Sequence, residues 1–436
     1  MNTLRTCVLA LVPLCIAVAL PAFAQEPYEG PAAVKAADVL PAGLVKGQHY
    51  TLADEVKAEG YLHEFVIRSD FGDFAAEGMS MLSVRLQEVQ ALAALDEVSK
   101  SEVFLKAAGD SVLNVGKSVG KAVSDPEATV KGIGAGVQRF GENLGRKTKQ
   151  TAESAKDAVQ GGDEQAAGAE GKSTTEKAVD TGASAAKGYL GVSGAARRWA
   201  QKLGVDPYTS NAVLRKALED IGKIDAAGGI AAKAVTPIPT VVSKAADVSD
   251  LVWGKDPQEL AKLNEQRLTA LGVDAKVAAA FLKSAAFSPS KQTRLVAALH
   301  AVRAPGAADY VDAAREAKTE TEAEFFTESA EMLAALHARD RVEAVLSDSR
   351  AMVAKVGGKK AVAVLPLDSI RWTEASSASL AEMADRARKE LGAEKLEIEL
   401  TGRMTSRAQK EAEALGWGVK QGAPGPIAPP QPAPGR

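Results

Sequence analysis

Between Met79 and Val98 the apolar residues Met81, Leu82, Val84, Leu86, Val89, Leu92 and Leu95 recur at helical spacing, with Arg85, Glu88 and Glu97 interspersed. The pattern predicts an amphipathic helix. The residues before it follow a period of two. His49-Tyr50-Thr51-Leu52 alternates and Tyr61 to Ile67 is rich in β-formers, while Ala58-Glu59-Gly60 and Ser69 to Asp73 read as turns. A three-stranded meander over Gln48 to Glu77 is expected. Three short strands need a cover, and the helix that follows supplies one.

Val112, Val115, Val119 and Val123 continue the helical period, as do Val130, Ile133, Val137, Phe140 and Leu144. Ser124-Asp125-Pro126-Glu127 between them reads as a capping box with an early proline. From Lys147 the chain turns to Ala, Gly, Ser, Thr, Lys, Glu and Gln, which cannot bury enough surface to offset chain entropy, so residues 147–187 read as a low-complexity linker. Residues 188–340 predict an all-α bundle of five to seven helices. Its starts are marked at Asp256-Pro257, Asp274 and Ser288-Pro289. Pro237 and Pro239 interrupt the mild apolar stretch Ile230 to Val242, which reads as a buried loop and helix start rather than a membrane span.

The last periodic unit, residues 341–421, predicts a hairpin across Gly357-Gly358-Lys359-Lys360, a helix from Ser377 to Leu391, a strand over Leu396 to Leu400, a helix from Ser406 to Leu415 and an edge strand over Trp417 to Val419. That order implies a small α+β module. Residues 422–436 hold six prolines and no periodicity, a spacer or a ligand for another protein. The fold class expected is mainly α with small β parts, residues 25–146 forming the meander with its helices.

Arg5 followed by the uncharged run Cys7 to Leu20 and the small-x-small Ala22-Phe23-Ala24 predicts a cleavable export signal over residues 1–24. The run is too short to span a bilayer, and no integral span is expected after its removal. Both cysteines lie inside it, so thiol chemistry is not expected of the mature chain. The expected location is the periplasm, peripheral to a membrane at most. A net charge of −3 gives no drive toward nucleic acid.

Candidate chemistry is thin. Gly116-Lys117-Ser118 and Gly171-Lys172-Ser173 end like a phosphate-binding loop, but Ser111 and Ala166 stand where its first glycine belongs. Asp70-Phe71-Gly72 copies a kinase metal motif without its partners. No HExxH or closely spaced ligand set surrounds His49, His63, His300 or His337, and neither a metal nor a cofactor is expected. The run Glu320, Glu322, Glu324, Glu328 and Glu331 reads as a solvated helix face. The catalytic candidates are His63, Glu64, Asp70 and Asp73, which cluster in sequence and suit a hydrolase or other envelope enzyme built on Tyr61 to Phe74.

The pairs Gly116/Gly120, Gly132/Gly136 and Gly141/Gly145 each clear one helix face for close approach. Seven basic residues against three acidic ones between Lys117 and Lys149 make this the expected interaction surface, for an envelope protein or an anionic membrane, or for packing within the monomer.

Gly60-Tyr61-Leu62-His63, Phe287-Ser288-Pro289 and Gly416-Trp417-Gly418-Val419, in that order, resemble uncharacterised exported proteins of Gram-negative bacteria, a resemblance that brings no activity with it. Leu396 to Val419 also resembles the second half of an OmpA-type peptidoglycan-binding domain, with Arg407 near the start of its helix but Thr401-Gly402-Arg403 in place of the acidic ligand. The expected role is non-catalytic binding or scaffolding at the envelope, with an envelope enzyme as the alternative and a peptidoglycan-contacting C-terminal module behind it.

Overall fold

A computed structural model describes residues 28–58, 60–101, 189, 191–226, 246–347 and 351–425. The expected export signal, the glycine-paired helices with Gly116, Gly120, Gly132, Gly136, Gly141 and Gly145, the linker, Pro237 and Pro239, and the tail beyond Gly425 lie outside the described residues.

The first sheet has five antiparallel strands: β1 (Ala32–Lys35), β2 (Tyr50–Leu52), β3 (Glu55–Ala58), β4 (Glu64–Ser69) and β5 (Gly72–Glu77). It is therefore more than the expected meander. β4 pairs with β5 along its whole length, with β2 near Ile67 and with β3 at Glu64, while β1 is added outside β3. β1 and β3 escape a reading by propensity because Ala, Glu and Lys are poor strand formers. Their alternation is still real: in β3 Val56 and Ala58 are buried and Glu55 and Lys57 exposed. After β1 come two short helices, α1 (Ala36–Val39) and α2 (Ala42–Val45). The predicted cover is α3 (Met79–Lys100), which packs on β5 and buries Met81, Leu82, Leu86, Val89 and Leu92. Each such side chain contributes about 1.5–3 kcal/mol by leaving water.

The described helical region has eight helices rather than five to seven: α4 (Gly194–Leu203), α5 (Ala212–Ala226), α6 (Ala246–Gly254), α7 (Pro257–Ala270), α8 (Ala275–Leu282), α9 (Pro289–Val302), α10 (Ala307–Ala314) and α11 (Glu320–Arg339). A helix as short as α10 shows too few turns to be counted by period. The caps are as the sequence implies. Asp256 with Glu259 forms a capping box, and Asp274 and Ser288 accept from the first-turn N–H groups of α8 and α9.

α11 departs most from expectation. Instead of one wet face it is buried all round from Glu322 to Ala330, with Glu322, Glu324 and Glu328 inside along with Phe325 and Phe326, and its exposed residues fall only in the last turns. It packs on α9 and reaches the C-terminal sheet at β7 and β8.

The C-terminal unit comprises β6 (Val342–Leu346), β7 (Met352–Val356), β8 (Lys360–Leu365), β9 (Ser369–Ile370), α12 (Glu374–Leu391), β10 (Lys395–Leu400), β11 (Arg403–Met404), α13 (Ser406–Ala414) and β12 (Trp417–Lys420). Its sheet runs β12-β10-β8-β7-β6, with β8, β10 and β12 parallel and β6 and β7 antiparallel. The hairpin turn lies at Gly357-Gly358, both at positive φ, which the tight turn requires. The apolar clusters cross from unit to unit. Tyr61, Leu62 and Phe325 belong to the cluster that fills the C-terminal unit. Among the described residues no helix is long and apolar enough to cross a membrane.

Candidate functional site

The carboxyl ends of parallel strands in an open α/β sheet leave main-chain groups and loops facing a crevice, the usual place for a ligand. Here β8 ends at Leu365 and β10 at Leu400, and the loops beyond them, 366–371 and 401–405, form one wall of a cavity of about 890 Å³. The opposite wall comes from His63, the end of β5, the first turn of α3, and Thr321, Glu324 and Glu328 of α11. Gly422 to Gly425 edge it on the C-terminal side.

Asp368 joins the two walls. Its carboxylate accepts from the backbone N–H of His63 at 2.8 Å and of Met79 at 3.0 Å. Met79 is the first residue of α3, and the cap position before it is Gly78, at φ 90 with no side chain to cap. Asp368 thus caps α3 from a distant part of the chain, its charge set against the positive end of the helix dipole. The N–H groups of Asp368 and Ser369 in turn donate to the Tyr61 carbonyl at 3.0 and 3.1 Å. Gly402 lies hard against this joint. A Cβ there would come 1.9 Å from the Asp368 carbonyl oxygen, so only glycine fits.

Of the four catalytic candidates, His63 alone lines the cavity. It is 8% exposed, and its Nδ1 stands 3.9 Å from Asp368 Oδ2, too far for a hydrogen bond, with no other partner. Glu64 stands opposite Glu77 on β5, outside the cavity lining, and lies 3.9 Å from Lys57. Asp70 sits in the β4–β5 turn and is bonded to His49 at 3.0 Å. Asp73 pairs across the hairpin with Arg68. The turn lies a strand length from His63, about 20 Å for six residues, so these acids cannot reach it. The cluster in sequence is no cluster in space. His63 meets Asp368 instead, 305 residues away and in no recognisable motif.

Two further carboxyls stand on the cavity wall: Glu77, which no motif singles out, and Glu328, expected on a solvated helix face. Burial lifts the Glu77 carboxyl from its ordinary 4.5 to about 7, with Thr321 opposing and the charges of Glu64, Glu320 and Glu322 assisting. Burial also lifts Glu328 well above the carboxylate range, helped by the negative charge of Glu324. His63 is pushed down by burial, which outweighs the pull of Asp368, so it stays neutral. Glu77 Oε2 and Glu328 Oε1 are both buried without a hydrogen-bond partner. Desolvated acids beside a cavity are a mark of functional sites.

Behind the cavity lies a buried ion network that fixes α11. Arg85 of α3 reaches Glu88 at 2.8 Å and Glu320 at 3.0 Å. Lys291 of α9 holds Glu320 at 3.0 Å and Glu324 at 3.3 Å. Arg294 grips Glu331 with two nitrogens, at 2.9 and 2.7 Å, and Glu324 with a third. Burial would raise Glu320, but Lys291, Arg85 and a Ser210 hydrogen bond overcome it and hold the carboxyl at about 2. Glu320, Glu324 and Glu331, expected on a solvated face of α11, are instead held by these cations. Charges of both signs, brought together from α3, α9 and α11, replaced water as partners.

His300 is half-buried with its Nε2 2.8 Å from the Arg303 guanidinium, and His337 Nδ1 accepts from the Val342 N–H at 3.2 Å. Both are structural. Among the described residues no group of three or more His, Asp or Glu is placed to hold a metal ion. No protein-family model, curated protein or solved structure matches this chain, so the reading of the cleft rests on its own geometry.

Proposed function

We propose that this is an exported cell-envelope protein that acts by binding a ligand in the cleft between the Asp368 joint and α11. The observation that carries the reading is the cleft itself, about 890 Å³ and walled by three distant parts of the chain, with neutral His63 and the desolvated acids Glu77 and Glu328 on its surface. Its size lies within the range of ligand pockets. The charged, apolar and small-residue order of residues 1–24 supports export and the periplasm. The glycine-paired segment from Gly116 to Gly145 belongs to the same proposal, as the contact to an envelope partner or an anionic membrane surface.

Asp368 spends its oxygens on two backbone N–H groups, which favours binding over a His63–Asp368 catalytic pair. Equilibrium dialysis of a periplasmic small-molecule extract against the mature protein and a Thr321→Trp variant, with the bound fraction identified by mass spectrometry, tests the reading. Compounds retained by the wild type and lost from the variant support it. Equal retention by both proteins sinks it.

A second reading, an envelope hydrolase, is favoured by Glu77, whose carboxyl near 7 is poised to give or take a proton at neutral pH. Under that reading an activity found for the wild type falls at least about 100-fold in Glu77→Gln, as loss of a general acid or base requires.

A further inference from the structure

The cleft sets two acids on one wall against two arginines on the other, where Asp368 is already committed to the His63 and Met79 N–H groups. On the side of β5 and α11 stand Glu77 and Glu328, and neither has an ion-pair partner among the described residues, because Arg85, Lys291 and Arg294 are taken by Glu88, Glu320, Glu324 and Glu331. On the side of the C-terminal unit stand Arg371 and Arg403. Arg371 gives one guanidinium nitrogen to the Gly30 carbonyl, and Arg403 is exposed at the rim.

The polar atoms left without partners repeat this division. Buried acceptors are orphaned on one wall, at Glu77 Oε2 and at Glu328 Oε1, the latter residue only 4% exposed. A buried donor is orphaned on the other, at Arg371 Nε. His63 Nδ1, also orphaned, lines the cleft as well. Native proteins leave few buried polar groups unpaired, since each costs about 1–3 kcal/mol. Unpartnered acceptors and an unpartnered donor, held on residues that line opposite walls of one cavity, fit a molecule that donates at one end and accepts at the other.

We propose that the ligand is zwitterionic, an amino acid or short peptide whose ammonium group lies toward Glu77 and Glu328 and whose carboxylate lies toward Arg371 and Arg403. The assignment rests on the binding reading above and adds its chemical class. An ammonium group beside Glu77 and Glu328 favours their ionised form, so its bond to them, like that of guanidinium to carboxylate, is charge-assisted, stronger than a neutral one and stronger again away from bulk water. The volume exceeds the need of a single amino acid and accommodates a peptide of a few residues.

The probe is trialanine, compared by titration calorimetry with its N-acetyl, C-amide and doubly blocked forms, on the full mature protein. Free trialanine should bind, and blocking either end should weaken it at least about tenfold. Glu328→Gln should remove the sensitivity to acetylation, with Glu77→Gln as the second variant if Glu328→Gln fails to fold. Arg403→Gln, at an exposed position, should remove the sensitivity to amidation. If the doubly blocked peptide binds as tightly as the free one, the zwitterion assignment falls and ligand binding by the cleft stands. If no form binds, the assignment falls too, and the dialysis experiment decides the cleft independently.

Discussion

Glu77→Gln isolates the energy stored in one desolvated acid. The glutamine keeps the shape of the side chain and carries no titrating proton. Glu77 ionises near 7 in the folded protein against an ordinary 4.5, so between those values the folded state holds a proton that the unfolded state has released. Stability contributed by this group is therefore complete below about pH 4.5 and falls as pH rises through 7. At about 1.4 kcal/mol per pH unit the difference is worth roughly 3 kcal/mol. Contact of the half-buried side chain with water in the cleft reduces it to about 2 kcal/mol. Urea unfolding at pH 5 and pH 8, followed by circular dichroism, reads the effect directly. The wild type should lose about 2 kcal/mol more than Glu77→Gln over that interval. Parallel losses in the two proteins would refute the claim that burial at the cleft wall holds this carboxyl protonated.

Asp368→Ala should destabilise by about 2–4 kcal/mol, since it strands the His63 and Met79 N–H groups and uncaps α3, and Asp368→Asn should recover part of this; thermal melting checks both. Arg294→Leu should cost about 3–5 kcal/mol by leaving Glu324 and Glu331 buried without their cation, and adding Glu331→Leu should return part of it in the same assay. Gly402→Ala should lower the melting midpoint far more than Gly357→Ala: the first drives a methyl into the Asp368 carbonyl, whereas the second meets open space and bears only the cost of positive φ, about 1 kcal/mol. Equal effects at the two glycines would argue that the close approach at the joint is not maintained in solution.

Much of the local structure is legible in this sequence because it is set by residues near one another. The apolar period over Met79 to Val98 is α3, Asp256-Pro257 and Ser288-Pro289 open α7 and α9, and Gly357-Gly358 turns the β7–β8 hairpin. Strands β1 and β3 are lost because alanine, glutamate and lysine are poor strand formers: β3 still alternates, with Val56 and Ala58 buried beside charged neighbours, whereas β1 buries no residue.

What the tertiary structure decided is which polar residues are inside and whom they meet. The glutamates of α11 carry nothing in their own spacing that separates a solvated face from a buried network; that depends on Arg85, Lys291 and Arg294 arriving from α3 and α9. His63 is a lone histidine on a strand edge until Asp368 comes up from beyond β8, and the acids next to it in sequence stay outside the cavity lining, Asp70 and Asp73 carried away by the length of the hairpin. Helix starts, turns and amphipathic faces are local and can be read along the chain. The charge balance of a buried site is a sum over elements distant in sequence, and only folding assembles it.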